Sequence, residues 1–256
     1  MELFDTHCHL DVAEFAADRA AVLARARAAG VRWQLIPAIR AADWEALLAL
    51  CRAEAGLFPA LGLHPVFIAE HREADLQRLD AALNKERPLA IGEIGLDFFV
   101  DGLDRARQIS LFEAQLALAE KHRLPVLLHV RKAHDQVLQS LKRFQLVGGI
   151  AHAFNASEQQ AAQYLELGFG FGFGGMLTFE RSKRIRRLAQ SLPLERIVLE
   201  TDAPDMSPAA HQGERNSPEY LPDVLAVLAQ LRGLPPAEVA AQTTANAFRL
   251  LGMGRE

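Results

Sequence analysis

The sequence has few cysteines, no long apolar run and no large excess of either charge, and each absence excludes a class of protein. Cys8 and Cys51 are the two cysteines in 256 residues, so a disulfide framework is excluded. Each lies in an apolar stretch and is predicted to be a free thiol. No run of about 18 apolar residues and no signal-peptide pattern occurs, which predicts no membrane partner and a cytoplasmic location.

The charge balance is mildly acidic, with a formal net charge of −4. A protein that coats nucleic acid without specificity would have a marked basic excess, so that class is not favoured. A nuclease stays open, because an active-site metal ion neutralises phosphate locally and a basic patch is compatible with an acidic average.

Short apolar runs alternate with alanine- and leucine-rich periodic segments along the whole chain, the pattern of βα units around a parallel sheet. Strands are predicted at Glu2 to His7, Arg32 to Ile39, Leu57 to Leu63, Leu89 to Ile94, Val126 to Val130, Gly148 to His152, Phe169 to Phe173 and Arg196 to Glu200. Helices are predicted at Glu14 to Ala29, Asp43 to Glu54, Asp104 to His122, Gln136 to Phe144, Ser182 to Gln190, Pro218 to Leu231 and Pro236 to Leu251.

Eight βα units in about 250 residues match the size of a (β/α)8 barrel. An open doubly wound sheet is the alternative, but no glycine-rich dinucleotide turn follows the first predicted strand. No linker of low complexity divides the chain. The sequence therefore predicts an α/β protein that folds as a single-domain TIM barrel over residues 1–256.

Histidine and carboxylate side chains lie at the C-terminal ends of the predicted strands, where barrel enzymes carry their reacting groups. Side chains alternate along a strand, so His7 and His9 project to one side while Cys8 points away. Imidazole is a common ligand of zinc and other first-row metals. The strand-end residues predicted to converge on two metal sites are His7, His9, Glu93, His129, His152 and Asp202.

Each of these residues also has a purely structural interpretation. A single strand-end histidine can simply bond a backbone carbonyl, and Asp202 can cap a turn. Glu93 lies between apolar and glycine residues, so it needs a cation partner, which is either a metal or an arginine. His64 precedes Pro65, which holds it extended; it is either a substrate contact or a packed histidine.

Together these segments resemble the signature set of TatD-like metal-dependent deoxyribonucleases, and the similarity covers essentially the whole chain. The segments are Asp5-Thr6-His7-Cys8-His9-Leu10-Asp11, Gly62-Leu63-His64-Pro65, Gly92-Glu93-Ile94-Gly95-Leu96-Asp97, Leu127-Leu128-His129-Val130-Arg131, His152-Ala153-Phe154 and Glu200-Thr201-Asp202-Ala203-Pro204. The resemblance implies a metallohydrolase of the amidohydrolase superfamily with two divalent ions, which are zinc, magnesium or manganese. It implies that one ion is bound by His7, His9, Glu93 and Asp202, and the other by Glu93, His129 and His152.

The activity expected from this site is hydrolysis of DNA or another phosphodiester by a water activated between two metal ions. Asp202 is the expected general base and Glu93 the bridging catalytic ligand. Arg131 and His64 are expected to hold the phosphate, since a guanidinium offers a fork of donors that matches its oxygens. A monomer is expected.

The chain differs from the family pattern around the expected substrate. Val130 stands between His129 and Arg131, and Asn155-Ala156 replaces the Ser-Gly that follows phenylalanine in nuclease members. Two alternatives therefore stay open. One is hydrolysis of a small-molecule or aminoacyl-tRNA ester or amide at the same two-metal site. The other is a metal-binding module without catalysis.

A basic cluster follows the seventh predicted strand. It is predicted chiefly as a solvated helix face, with contact to a nucleic-acid backbone as the alternative. The cluster is Arg181, Lys183, Arg184, Arg186 and Arg187. Surface positions are predicted for the remaining histidines, which are His71, His122, His134 and His211.

Overall fold

Eight parallel strands follow one another in chain order, each hydrogen-bonded to the next. This computed structural model describes residues 1–254. The strands are β1 (Leu3–Asp5), β2 (Val31–Pro37), β3 (Leu57–Leu61), β4 (Ala90–Asp97), β5 (Val126–Arg131), β6 (Gly149–Ala151), β7 (Phe169–Phe173) and β8 (Ile197–Leu199). Beyond the ends of β1 and β8, the Thr6 N–H donates to the Leu199 carbonyl at 3.0 Å and the Asp202 N–H to the His7 carbonyl at 2.8 Å. These bonds join the first and last strands, so the predicted TIM barrel is confirmed.

Helices connect the strands on the outside of the barrel. They are α1 (Arg19–Ala28), α2 (Trp44–Ala53), α3 (Glu73–Glu86), α4 (Arg105–His122), α5 (His134–Leu141), α6 (Glu158–Glu166), α7 (Lys183–Ser191), α8 (Leu221–Arg232) and α9 (Pro236–Leu250). Side-chain caps fix where some of them begin. Before α4 the Asp104 carboxylate accepts the Arg107 N–H at 3.0 Å, and before α6 the Ser157 hydroxyl accepts the Gln160 N–H at 3.1 Å.

The end of α9 covers the side of the barrel where the strands begin. Asn246 donates its amide hydrogens to the Leu194 and Ile197 carbonyls, at 2.7 and 2.8 Å, at the start of β8. Leu250 lies against Gly170 in β7, where a β-carbon would approach it to 2.3 Å. An apolar cluster fills this region, with Phe4, Leu35, Ala60, Ala90, Leu127, Ile150 and Val198 from seven strands and Ala247, Leu250 and Leu251 from the end of the chain's last helix. The opposite, C-terminal end of the strands therefore carries the polar residues.

Several predicted boundaries differ from the structure. The first strand ends at Asp5, so His7 and His9 follow it rather than belong to it. Strand β4 continues to Asp97, three residues beyond the prediction. The first helix begins at Arg19, since residues 13–15 form a separate 3-10 turn. Helices α3 and α6 were not predicted, because both are polar along most of their length.

His71 is not at the surface as predicted. It is buried, and its Nε2 lies 2.8 Å from the backbone carbonyl of His64. That bond satisfies the imidazole, which is why a polar side chain is tolerated there. Cys8 and Cys51 are free thiols, as expected.

Within residues 1–254, no single helix has the length and apolar character needed to span a membrane. Two consecutive segments, Pro218–Arg232 and Pro236–Leu250, satisfy the length and composition criteria only as a pair, and they are bent by 109°.

Candidate metal centre

Glu93 is the centre of a buried polar cluster at the C-terminal end of the strands. It is 2% exposed, and its Oε2 lies 3.0 Å from His7 Nε2 and 3.5 Å from His9 Nε2. Its Oε1 lies 2.9 Å from His129 Nδ1 and 3.7 Å from His152 Nε2. Oε2 therefore faces His7 and His9, whereas Oε1 faces His129 and His152 and also His64, whose Nε2 lies 3.3 Å away. A carboxylate whose two oxygens face separate sets of histidines is the arrangement expected of a bridging ligand.

Asp202 faces the same cluster from beyond β8. Its Oδ1 lies 3.6 Å from His7 Nε2 and 3.7 Å from His9 Nε2, and its Oδ2 lies 3.9 Å from His152 Nε2. The backbone at Asp202 has φ of 59°, in the left-handed region that non-glycine residues rarely adopt. Such outliers persist only where the surrounding structure imposes them, and they concentrate at functional sites. The structure thus brings together all the residues that the sequence predicted as metal ligands.

The donor atoms fit a divalent metal ion. The Nε2 atoms of His7 and His9 face each other at 3.2 Å, with a Glu93 oxygen beside both. Tetrahedral bonds of ~2.0–2.1 Å place neighbouring ligand atoms about 3.3 Å apart. His7 Nδ1 is buried and has no hydrogen-bond partner among the described residues. Three groups have ligand atoms close enough for one ion: His7 with Glu93 and His152, His7 with His9 and Asp202, and His64 with Glu93 and His129.

The two carboxylates differ in how readily they ionise. Burial opposes the charge of Glu93, but the imidazoles of His7 and His64 outweigh it and hold the pKa of Glu93 well below its usual range. Burial raises the pKa of Asp202 to about 6, against the lowering effect of His152 and His9. Glu93 is therefore a permanent anion near neutral pH, whereas Asp202 titrates close to it.

Two histidines of the cluster have raised pKa values. Burial disfavours a charged ring at His9, yet Glu93 and Asp202 outweigh it and raise the pKa of His9 to about 9. Burial likewise opposes the charge on His152, but Glu200 and Asp202 raise the pKa of His152 to about 10. Protons on these rings balance the buried carboxylates, and a metal cation would take over that function.

A second carboxylate orients each of the two histidines on the β5 and β6 side. His129 Nε2 lies 3.0 Å from Asp97 Oδ2, and His152 Nδ1 lies 3.1 Å from Glu200 Oε1. These contacts leave His129 Nδ1 and His152 Nε2 turned toward Glu93. Carboxylates in this position fix the tautomer of a ligating histidine and increase its basicity.

Asp5 joins the first and last strands directly below the cluster. Its Oδ1 accepts the His7 N–H at 3.2 Å and the Thr201 N–H at 2.9 Å, and its Oδ2 accepts the Thr201 hydroxyl at 2.6 Å. Asn216 supports the following loop by donating to the Thr201 and Asp205 carbonyls at 2.8 and 2.7 Å. The sequence reasoning assigned no role to either residue. The only available signal was the position of Asp5 in the first motif.

His64 is oriented as a hydrogen-bond donor. Its Nδ1 accepts the Val66 N–H at 3.2 Å, which leaves the proton of the neutral ring on Nε2, 3.3 Å from Glu93 Oε1. Burial lowers the pKa of His64 to about 4, so the ring is neutral near pH 7. A protonated Nε2 is unavailable for metal coordination, and this tautomer fits the predicted substrate contact better than a ligand.

Arg131 lies at the edge of the cluster with a half-exposed side chain. Its guanidinium NH1 is 3.7 Å from Asp97 Oδ2, and the group also lies against the Phe99 ring. The basic cluster follows β7, and all of its residues except Arg181 are on α7. Arg184 and Arg187 are exposed while Ile185 and Leu188 turn inward, which is the solvated helix face that the periodicity predicted.

A parallel (β/α)8 barrel with histidine and carboxylate ligand atoms gathered at the C-terminal strand ends defines the class of barrel metalloenzymes. The family model described as "TatD related DNase" matches residues 4–252, and the chain belongs to this family. The resemblance noted in the sequence is thereby confirmed.

Named relatives align with nearly the whole chain. This protein is 41% identical over 252 residues to the "Uncharacterized metal-dependent hydrolase YjjV" of Escherichia coli, and the alignment covers 97% of each chain. It is 36% identical over 256 residues, again 97% of each, to the "3'-5' ssDNA/RNA exonuclease TatD" of Cronobacter sakazakii. The crystal structure of the Escherichia coli TatD homologue YjjV superposes with a TM-score of 0.94 at 40% identity, covering 98% of each chain.

Proposed function

We propose that this member of the TatD family is a hydrolase that uses two divalent metal ions to cleave phosphodiester bonds in single-stranded nucleic acid. In this proposal His7, His9 and Asp202 hold one ion, His129 and His152 hold the other, and Glu93 is shared. The observation that carries it is the Glu93 carboxylate, whose two oxygens face different sets of histidines. Four imidazoles favour zinc or manganese over magnesium, which prefers oxygen ligands.

Two observations support a nucleic-acid substrate. Relatives of 34% and 36% identity are named 3'-5' ssDNA/RNA exonucleases, and they align with nearly the full chain. Arg131 presents a half-exposed guanidinium beside the candidate centre, where a phosphate would find a bidentate donor. All the proposed ligands come from one chain, so we also propose that a monomer is active.

Divalent ions supply, when bound, a lowered pKa for an attacking water and neutralisation of charge on the phosphate oxygens. Asp202 acts as the proton acceptor, since its carboxylate lies beside the histidines that would hold the ions and their water. His64 donates a hydrogen bond from its Nε2 N–H to a phosphate oxygen, and Arg131 orients the same group. Burial of Glu93 and its neighbours strengthens each of these electrostatic contacts.

The test uses metal-stripped protein that is resupplied separately with zinc, manganese or magnesium. Single-stranded DNA, duplex DNA and single-stranded RNA are labelled at either end and followed over time. We expect metal-dependent loss of nucleotides from single strands. The Asp202→Asn variant should lose most turnover while its far-ultraviolet circular dichroism is unchanged.

Two outcomes would contradict the nuclease proposal. Hydrolysis of esters or amides, with no nucleic acid cut under any metal, would favour the carbonyl alternative. Metal-dependent melting without any hydrolysis would favour a binding module. Full activity in Asp202→Asn would remove Asp202 from its assigned role.

A further inference from the structure

Phe99 projects an exposed aromatic ring from the segment between β4 and α4. The side chain is 49% exposed, and the neighbouring Val100 is 37% exposed. Within residues 1–254, Met1 and Val147 are the other large apolar side chains exposed to this degree. Because the segment directly follows β4, the ring lies at the same end of the barrel as the candidate metal centre. Two adjacent apolar side chains are thus exposed at that end.

Two cations from the end of β5 lie against this ring. The Arg131 guanidinium carbon is 4.2 Å from the ring centroid, and the Lys132 ammonium is 4.7 Å from it. Both distances are within the range of cation–π attraction. We call Phe99, Arg131 and Lys132 the Phe99 platform. It presents an aromatic face and two positive charges together, in a protein whose formal net charge is −4.

Asp97 ties the Phe99 platform to the metal centre. Its Oδ1 accepts the backbone N–H groups of Phe99 and Val100, at 2.9 and 3.0 Å. Its Oδ2 lies 3.0 Å from His129 Nε2. One buried carboxylate therefore orients a proposed metal ligand and fixes the backbone that carries the exposed ring. These hydrogen bonds fix the position of the platform relative to the centre, so its backbone is not a free loop.

We propose that the Phe99 platform is a nucleobase subsite of the enzyme, in which an unpaired base stacks on Phe99 while Arg131 and Lys132 contact the adjoining phosphates. This inference rests on the proposed function and specifies its substrate. Stacking on an aromatic ring next to cations is how proteins bind single strands without reading their sequence. A base within a duplex has no free face to offer, so the subsite selects single strands.

The test measures binding without turnover. Fluorescein-labelled decathymidylate and an abasic oligomer of equal length are titrated by anisotropy, in the Asp202→Asn background with metal present. We expect Phe99→Ala to weaken binding of decathymidylate about tenfold or more, because base–aromatic stacking contributes on that scale. Binding of the abasic oligomer should be unchanged. Phe99→Trp should restore the affinity for decathymidylate, and its added indole fluorescence should be quenched by the bases.

Phe99→Leu separates stacking from simple apolar contact and should bind as weakly as Phe99→Ala. The matched control is Val147→Ala, which removes an exposed apolar side chain from the loop that precedes β6, at the opposite end of the barrel; it should bind as the parent does. Equal affinity of Phe99→Ala and the parent for decathymidylate would overturn the proposal, as would full affinity in Phe99→Leu. A change in sedimentation of Phe99→Ala without a change in DNA affinity would assign the ring to self-association and also overturn it.

The outcome is separable from that of the proposed function. Weakened binding by Phe99→Ala, combined with no cleavage by the wild-type protein, would keep the subsite and remove the nuclease activity. Cleavage by the wild type, combined with unaltered binding by Phe99→Ala, would keep the nuclease and remove the subsite.

Discussion

Gly172 faces the carboxylate of Glu200 so closely that a β-carbon at residue 172 would lie 2.0 Å from Glu200 Oε2. The glycine on β7 therefore makes the space that the carboxylate occupies. Glu200 Oε1 in turn accepts the Ala153 N–H at 2.6 Å and lies 3.1 Å from His152 Nδ1. The orientation of one expected metal ligand thus depends on the absence of a side chain on a neighbouring strand.

Glu200→Gln should weaken metal binding by about 10- to 100-fold, since outer carboxylate partners of ligating histidines contribute on that scale. An amide can still bond His152 but no longer carries the charge that increases the basicity of the ring. Competition with a chromogenic chelator measures the affinity. Glu195→Gln, at an exposed position shortly before β8, is the control. Unchanged affinity in Glu200→Gln would exclude this positioning role.

Metal removal should lower the melting temperature. A ligand that binds only the folded state at 100 times its dissociation constant stabilises by about 2.7 kcal/mol.

The pKa values of His9 and His152 are raised to about 9 and 10, so both rings must release protons before they coordinate an ion. The stabilisation by metal should therefore be larger at pH 8 than at pH 6. Thermal melts with metal or with chelator, at both pH values, test this, and a pH-independent gain would contradict it.

Asn216→Ala should lower the free energy of unfolding by about 1–3 kcal/mol, because it leaves the buried Thr201 carbonyl without its donor and removes a second bond to the Asp205 carbonyl. Those carbonyls belong to Thr201 and Asp205, on either side of Asp202, so metal-dependent activity should fall as well. Urea denaturation gives the stability. The exposed Asn84→Ala is the control and should change it by less than about 0.5 kcal/mol. Equal stability of the two variants would show that the loop does not depend on Asn216.

Neither cysteine should react quickly with a thiol reagent in the native protein. The reactive species is the thiolate. Burial raises the pKa of the Cys51 thiol to about 12, and Cys8 is fully buried. Ellman's reagent at pH 8 should label both residues only on unfolding, with Cys8→Ala and Cys51→Ala identifying each. Rapid labelling of the folded chain would contradict this arrangement.

The sequence was sufficient to predict the barrel and the residues gathered at its mouth, because both follow from strand-level rules. Side-chain alternation placed His7 and His9 on one side, and although both follow β1 rather than belong to it, their Nε2 atoms lie 3.2 Å apart. The cost of burying an unpaired carboxylate predicted cation partners for Glu93, and histidines surround it. That these residues bind metal stays a prediction.

The contacts behind the expected ligands could not be predicted, because they depend on how neighbouring strands are aligned. Strand β4 pairs with β5 so that Gly95 lies beside His129 and Asp97 beside Arg131. This register brings the Asp97 carboxylate to His129, and nothing within either segment alone specifies it. The burial of His71 against the backbone of His64 has the same cause, a contact between distinct turns of the chain.

The junction between the first and last strands also determines when the centre is complete during synthesis. His7 and His9 emerge early, whereas Asp202 follows β8, and Asp5 and Thr201 hold the two parts together. Synthesis proceeds from the N-terminus, and a domain folds as a unit. Until β8 has been made and docked, the early histidines lack their last carboxylate partner, so the centre cannot form before Asp202 has been synthesised.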